Sequence, residues 1–182
     1  MKAYYGKNAT AENGFGYDWL PKIAETGDHS WGAFFDDIYN GKLEGLISFG
    51  MNPIANGPNT GKMLTALSKL KWLIVAENFE TETAAFWRAK ELAEKYYAKI
   101  PEASQIQTEV FLLPASNFAE KDGAFVNSSR WLQWKEAALD PPGAAKSDQQ
   151  ILSQLFLEIP RLYQNDEGAN PAPLMKMPWD YA

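Results

Sequence analysis

The stretch LEGLISFGMNPIANGPNTGKMLTALSKLKWLIVAEN, residues 43–78, decides the fold. Its pattern predicts a short apolar strand over 43–50, a glycine-rich loop, a helix over 60–70 and a second strand over 71–78. The second strand contains three successive apolar residues, 73–75, a run typical of a parallel strand that is covered on both faces. Two strands joined by a crossover helix predict a parallel pair with a right-handed connection.

The flanking sequence extends this alternation in both directions. Upstream, Ser30 is a candidate N-cap for a helix that ends at Gly41. Downstream, a helix is expected to start at Glu80, with Thr81 as its cap, and a third strand is expected over 108–115. The order α–β–α–β–α–β predicts an α/β fold with a mostly parallel sheet.

The remaining sequence is less regular. Residues 1–30 are expected to form an irregular entry segment packed by Tyr and Trp, and extended pieces are expected around 124–127 and 131–134. The apolar spacing in 148–163 predicts a helix that Pro160 ends or kinks. The proline-rich tail 164–182 predicts an extended C-terminal arm. A length of 182 residues is typical of a single domain, here with irregular N- and C-terminal arms.

Composition excludes several kinds of chemistry within these residues. The chain has no Cys and one His, so it cannot form a disulfide, a thiol nucleophile or a Cys-ligated metal centre, and a His-based metal site is disfavoured. The net charge of −6 argues against a nucleic-acid partner. No apolar run approaches the length of a membrane span, so no direct membrane contact is expected, and the first ten residues lack the apolar core of a signal peptide.

Ligands of open α/β sheets bind beyond the carboxyl ends of the strands, which here lead into the loops 50–60, 77–83 and 114–133. The first loop offers glycines and a following helix N-terminus, which together suit a phosphate. It has neither the Walker nor the GxGxxG spacing, and an ordinary βα turn explains it equally well. Glu77 ends the second strand, where an acid can accept hydrogen bonds from a ribose or simply be a surface carboxylate.

Two further groups of residues have both a functional and a structural interpretation. Thr81, Glu82 and Thr83 form a cluster that helix capping alone would explain. Arg130 lies next to Trp131, so it can stack on a base, pair with a phosphate or cover the rim of the core. His29 directly precedes Ser30, and neighbours in sequence rarely face each other, so a catalytic triad around His29 is not expected.

Several motifs, in a fixed order, resemble one known family. They are GMNPIANGPN, then AENFETETAAFW, then VFLLPASNFAEKDGAFVNSSRWLQW followed by PPG, and finally PLMKMPWDY. In this order they resemble the large catalytic subunits of formate dehydrogenases, of the molybdopterin oxidoreductase (dimethyl sulfoxide reductase) superfamily. The resemblance covers essentially the whole chain, and the segments ETETAAFW and NSSRWLQW are most similar to the respiratory, membrane-associated type.

The resemblance implies a three-layer Rossmann-like domain that grips part of a molybdopterin guanine dinucleotide cofactor. In such subunits two of these dinucleotides hold molybdenum or tungsten, a Cys or selenocysteine ligates the metal, and a His and an Arg act on formate. A [4Fe-4S] cluster passes the electrons to an iron–sulfur partner subunit, and some members also have a membrane cytochrome subunit. Because this chain lacks Cys, the resemblance implies an internal fragment that cooperates with the remaining domains of the same subunit.

Such a fragment is expected to be inactive alone and to hold no cofactor by itself. The compartment is left open by the fragment: the full-length protein is expected to be periplasmic or membrane-associated, or otherwise cytoplasmic.

The resemblance maps cofactor-binding roles onto the three loops, while no catalytic or metal-ligating residue is assigned. The expected binding residues are Gly50, Met51, Asn52, Pro53, Asn56, Gly57, Asn59, Glu77, Thr81, Glu82, Thr83, Pro114, Asn127 and Arg130.

Two alternatives remain open from the sequence. The same superfamily includes enzymes that act on nitrate, polysulfide or an arsenic oxyanion. A non-catalytic nucleotide-binding module would also explain the βαβ alternation and the glycine-rich loop.

Overall fold

The computed structural model describes residues 2–22, 26–164 and 171–178. The chain divides into two compact units, residues 28–148 and a second unit made of 1–27 with 149–182. The single-domain organisation over 1–182 and the extended arm 164–182 therefore stay predictions, and residues 165–170 and 179–182 lie outside the described part.

The unit 28–148 has a mixed α/β order, as the sequence predicts. Its elements are α2 (Trp31–Tyr39), β1 (Gly45–Phe49), α3 (Pro53–Asn56), α4 (Thr60–Leu67), β2 (Trp72–Glu77), α5 (Lys90–Lys95), β3 (Glu109–Pro114), β4 (Gly123–Val126) and β5 (Leu132–Lys135), with short 3-10 turns at Phe86–Arg88, Ala103–Gln105 and Phe118–Glu120.

Strands β1, β2 and β3 form a parallel sheet in that order. Leu46 pairs with Leu73 and Leu73 with Val110, so these side chains share one face. That face belongs to the main hydrophobic core together with α2 and α4, whose Ile38 and Leu64 are fully buried. Because the three strands run parallel, their carboxyl ends lie at the same edge of the sheet.

Side-chain caps begin the two core helices at the predicted places. Ser30 Oγ accepts a hydrogen bond from Ala33 N at 3.2 Å. Asn59 Oδ1 accepts one from Lys62 N at 3.1 Å, and the backbone of Asn59 is left-handed, with φ 61°. Asparagine tolerates this conformation better than most residues, so the cap fixes where the first loop ends.

The prediction of a continuous helix from Glu80 is wrong. Residues 82–85 form turns, a 3-10 turn covers Phe86–Arg88, and only Lys90–Lys95 is α-helical. Thr81 provides no capping hydrogen bond, whereas Phe86 is fully buried in the core. Packing of the aromatic ring outweighs the local helix propensity of this segment.

Beyond β3 the chain forms an antiparallel hairpin, β4–β5, in which Ala124 pairs with Trp134 and Val126 with Leu132. Both strands lie where extended pieces are predicted. The hairpin is a separate sheet, so its turn is not part of the carboxyl edge of β1–β3.

The second unit begins with α1 (Lys2–Tyr5) and 3-10 segments at Gly6–Asn8 and Ala11–Trp19, the latter interrupted by a kink. Tyr5 is buried, and its ring meets Trp19 edge-on at 4.8 Å between centroids. Asn8 Nδ2 donates to Lys176 O at 2.8 Å, so the entry segment contacts the tail of its own unit. The predicted irregular, aromatic-packed segment is confirmed over the described part.

The second unit also contains α7 (Ala172–Met175) and nearly all of α6 (Asp148–Tyr163), whose first residue is assigned to the other unit. The predicted helix over 148–163 is confirmed, but Pro160 lies inside α6 and does not end it. Among the described residues, no helix combines the length and apolar character needed to cross a membrane.

Candidate functional site

The candidate site is the edge where β1, β2 and β3 end side by side. Phe49 pairs with Ala76, and Glu77 pairs with Pro114, so the three following loops start next to each other. Gly50 has φ +57°, a left-handed conformation that glycine adopts at low cost, and its N–H donates to Ala76 O at 3.0 Å. This glycine turns the first loop sharply away from β1.

Asn52 joins the first loop to the second. Its Nδ2 donates to Glu82 Oε2 at 2.6 Å, and its Oδ1 accepts from Thr83 Oγ1 at 2.7 Å. Thr83 is fully buried, and its Oγ1 also accepts from Ile54 N at 3.3 Å. One amide side chain therefore fixes both the carboxylate and the buried hydroxyl of the second loop.

Asn78 joins the second loop to the third. Its Nδ2 donates to Ala115 O at 2.8 Å, directly after β3. The next residue, Ser116, donates its N–H to Lys146 O at 2.8 Å. The three loops are thus connected in series by two asparagine side chains, although Asn78 and Ser116 are not among the residues that the sequence predicts.

Two buried hydroxyls at this edge have no hydrogen-bond partner among the described residues. They are Thr81 Oγ1 in the second loop and Ser116 Oγ in the third. Ser116 is only 3% exposed. An unpaired buried hydroxyl costs about 1–3 kcal/mol, so each of these groups would gain from an added hydrogen-bond partner.

The carboxyl of Glu82 is held in its charged form. A hydrogen bond with its own backbone amide, reinforced by the one from Asn52, lowers its pKa from the ordinary value. A carboxylate can only accept hydrogen bonds, so Glu82 suits a ligand group that carries N–H donors and disfavours a phosphate. Nearby, Glu80 is paired with Arg88.

The other predicted residues of the first loop lie around this network. Pro53 is the first residue of α3 and is buried, while Met51 O accepts a hydrogen bond from Ser48 Oγ at 2.9 Å. Asn56 is exposed, and Gly57 lies against the side chain of Met63, where a Cβ would come within 2.2 Å of its terminal methyl carbon. These contacts shape the loop between β1 and α4.

The predicted residues of the third loop are divided between two places. Pro114 is the last residue of β3, at the edge. Asn127 and Arg130 lie in the turn of the β4–β5 hairpin, where Asn127 O accepts from Arg130 N at 2.9 Å and Asn127 Oδ1 accepts from Ser129 N at 3.0 Å. Arg130 is exposed and has φ 61°. The binding roles of all fourteen residues stay predictions.

No group of three or more His, Asp or Glu side chains within 2–22, 26–164 and 171–178 is placed to hold a metal ion.

The pKa of Glu82 predicts a pH dependence of stability. A carboxyl whose pKa is lowered by folding stabilises the native state above the ordinary carboxyl range, and this contribution disappears as the pH falls through the lowered value. We expect Glu82→Gln to reduce the melting temperature at pH 7, and the difference from the parent to shrink as the pH falls into and below the ordinary carboxyl range. Thermal unfolding measured across this pH range checks the expectation.

Glu136→Gln is the control, because it removes the same charge at an exposed position. If both variants changed the melting temperature equally at every pH, the predicted contribution of Glu82 to stability would be contradicted.

Comparison with known proteins agrees with these observations. The family model described as "Molybdopterin oxidoreductase" matches residues 111–157. The chain is 45% identical over 183 residues to the formate dehydrogenase-O major subunit of Escherichia coli (strain K12), which covers 100% of this chain and 17% of that subunit. The nitrate-inducible formate dehydrogenase major subunit of the same organism is 41% identical over 181 residues, again 100% of this chain and 17% of the relative.

A more distant similarity extends beyond formate dehydrogenases. The assimilatory nitrate reductase catalytic subunit of Bacillus subtilis (strain 168) is 28% identical over 120 residues, which covers 66% of this chain and 14% of that protein. The chain spans about a sixth of the length of the formate dehydrogenase subunits that it matches throughout. The chain is thus similar over its whole length to a segment of formate dehydrogenase major subunits, and over residues 111–157 it matches the molybdopterin oxidoreductase family model.

Proposed function

We propose that this chain is the part of a formate dehydrogenase catalytic subunit that holds one end of a molybdopterin guanine dinucleotide. The observation that carries the proposal is the connected edge of the sheet, where Asn52 and Asn78 tie together three loops at adjacent carboxyl strand ends. This is the position at which open α/β sheets bind nucleotides. The similarity to formate dehydrogenase major subunits supplies the reaction class.

The residues at the edge fit such a cofactor. Guanine and pterin rings carry amino and ring N–H donors, which complement the acceptor-only carboxylate of Glu82. The hydroxyls of Thr81 and Ser116 have no partner within the described part of the chain, so each can bond a polar group of the ligand. The left-handed Gly50 brings backbone, without a side chain, to the mouth of the first loop. When bound, the cofactor's molybdenum or tungsten centre supplies the two-electron redox chemistry of formate oxidation.

In this proposal the residues of the chain bind and orient, and none of them reacts. Asn52 holds Glu82 in position, and Asn78 keeps the third loop against the second. Glu77, at the end of β2, remains the candidate for a ribose contact. The metal ligand, the groups that act on formate and the [4Fe-4S] cluster belong to the rest of the subunit, and electrons leave through an iron–sulfur partner. The chain alone is therefore expected to be inactive.

The unpaired hydroxyls provide a sharp test of this site. We expect the double variant Thr81→Val/Ser116→Ala to leave the melting temperature of the 182-residue chain unchanged or raised, because it removes buried hydroxyls that no described residue bonds. The chain is also placed into the E. coli formate dehydrogenase-O major subunit, in exchange for the segment that it matches throughout. In this chimera the same double variant is expected to reduce the guanine nucleotide released by acid at least 10-fold.

This test has one control variant and two results that would contradict the proposal. Ser68→Ala, which removes a hydroxyl that donates to Thr65 O at the C-terminal end of α4, serves as a control with no expected effect on guanine content. An unchanged guanine content in the double variant would overturn the assignment of the hydroxyls. Micromolar binding of GDP by the 182-residue chain alone, together with a chimera that lacks cofactor, would instead favour a free-standing nucleotide-binding module, because a segment of a larger site binds weakly by itself.

A further inference from the structure

The chain contains three Asn-Gly pairs, at residues 13–14, 40–41 and 56–57. Because glycine has no side chain, the backbone nitrogen that follows the asparagine is poorly shielded and can attack the asparagine's own side-chain amide. The three pairs share this chemistry, so the structure around each pair decides which of them reacts.

The side chain of Asn13 is locked in place. Its Oδ1 accepts hydrogen bonds from Thr10 N at 3.0 Å and Gly16 N at 2.9 Å, and its Nδ2 donates to Asn8 O at 2.7 Å. Asn13 is also half-buried. The amide would have to break all three hydrogen bonds before its carbon could meet the next backbone nitrogen, so this pair is protected.

The backbone after Asn56 is held by packing, although the Asn56 side chain is exposed. Gly57 N donates to Pro53 O at 2.9 Å, and Gly57 lies half-buried against the side chain of Met63, which belongs to the hydrophobic core. Rotating this peptide would disturb the core, because close-packed interiors leave little free space. The second pair is therefore protected through its backbone.

Asn40 has neither kind of protection. It is the exposed C-cap of α2, and its side chain forms no hydrogen bond with any described residue. Gly41 is exposed with φ +74°, and a Cβ placed there would meet nothing within 4 Å. Gly41 N donates to Ile38 O at 2.9 Å, but hydrogen bonds at helix ends open more readily than those in the interior. Opening this turn displaces no packed side chain.

We propose that Asn40 is a site of spontaneous deamidation. The Gly41 nitrogen forms a bond to Cγ of Asn40 while the bond from Cγ to Nδ2 breaks, and the proton of the Gly41 N–H leaves with the amide nitrogen as ammonia. Water then opens the resulting succinimide ring at either carbonyl, which leaves aspartate or isoaspartate at position 40. No atom is oxidised or reduced, and the inference does not depend on the proposed function.

The modification is expected to destabilise the end of α2. A new carboxylate at position 40 would lie at the negative end of the helix dipole, one turn after Asp36, and both arrangements are unfavourable for an anion. Isoaspartate also inserts an extra carbon into the backbone at the helix cap. The melting temperature of the 182-residue chain is therefore expected to fall as the chain ages.

The three pairs serve as internal controls for one another in a single experiment. The 182-residue chain is incubated at 37 °C and pH 8.5, and peptide mapping by mass spectrometry follows the replacement of NH2 by OH at each asparagine. Asn40 is expected to react at least 10-fold faster than Asn13 or Asn56 in the folded chain. In denaturing urea, the three sites are expected to react at similar rates, because the protection at Asn13 and Asn56 is lost.

A second readout uses the variant Asn40→Gln, whose longer side chain would have to close a larger and less favourable ring. This variant is expected to keep its melting temperature during the incubation while that of the parent falls. Equal rates at the three sites in the folded chain, or a faster reaction at Asn13 or Asn56, would overturn the proposal. A parent that keeps its melting temperature after conversion at Asn40 would overturn the expected destabilisation. No cofactor takes part in these measurements, so their failure is distinguishable from a failure of the proposed function.

Discussion

Replacing Asn52 with leucine is expected to lower the free energy of unfolding by about 2–4 kcal/mol. The substitution leaves the fully buried Thr83 hydroxyl without its acceptor and removes the donor to Glu82. The buried hydroxyl accounts for about 1–3 kcal/mol, and the exposed bond to a carboxylate for about 1 kcal/mol. Urea unfolding of the 182-residue chain, followed by tryptophan fluorescence, measures the change.

Asn40→Leu is the matched control. Asn40 is exposed at the end of α2, so its replacement is expected to change stability by less than about 0.5 kcal/mol. If both asparagine variants cost the same, the link between the first and second loops does not stabilise the fold, and the account of the edge is wrong.

Gly61→Ala is expected to destabilise the chain by about 2–3 kcal/mol, although alanine is the better helix former by about 1 kcal/mol. A Cβ at Gly61 would lie 2.0 Å from the carbonyl oxygen of Tyr96. That backbone cannot easily retreat, because Lys99 N donates to Thr65 Oγ1 at 2.9 Å and holds the segment against α4. Equilibrium unfolding in urea checks the prediction.

Gly32→Ala provides the comparison, because Gly32 is the second residue of α2 just as Gly61 is the second residue of α4. A Cβ at Gly32 meets only Ser30 Oγ, at 3.7 Å, an ordinary contact. This variant is expected to gain up to about 1 kcal/mol. A Gly61→Ala chain as stable as Gly32→Ala would contradict the close approach of Tyr96 to α4.

The strands and caps could be predicted because their signals are local. The run at 73–75 forms the centre of β2, and Ser30 caps α2 through its own hydroxyl. The second loop could not be predicted this way. Its sequence favours a helix from Glu80, but burial of Phe86 and the bond from Thr83 to Asn52 act across the fold and break that helix.

The candidate site also has features that local sequence signals predict and features that depend on contacts across the fold. Asn52 and Glu82 are recognisable from motif resemblance, but their hydrogen bond depends on the parallel register of β1 and β2. The sequence contains one signal for the role of Asn78, namely an amide side chain directly after a strand. For Ser116 the sequence contains no such signal. Its environment depends on the fold, since its N–H donates to the carbonyl of Lys146, thirty residues later in the chain.

The guanine nucleotide content of the chimera with the E. coli formate dehydrogenase-O major subunit decides whether the loops after β1, β2 and β3 hold the cofactor. We expect the folded chimera to carry as much acid-released guanine nucleotide as the parent subunit, and Thr81→Val/Ser116→Ala to lower this amount at least 10-fold. A folded chimera that contains no guanine nucleotide, or a double variant that keeps the full amount, would contradict this expectation.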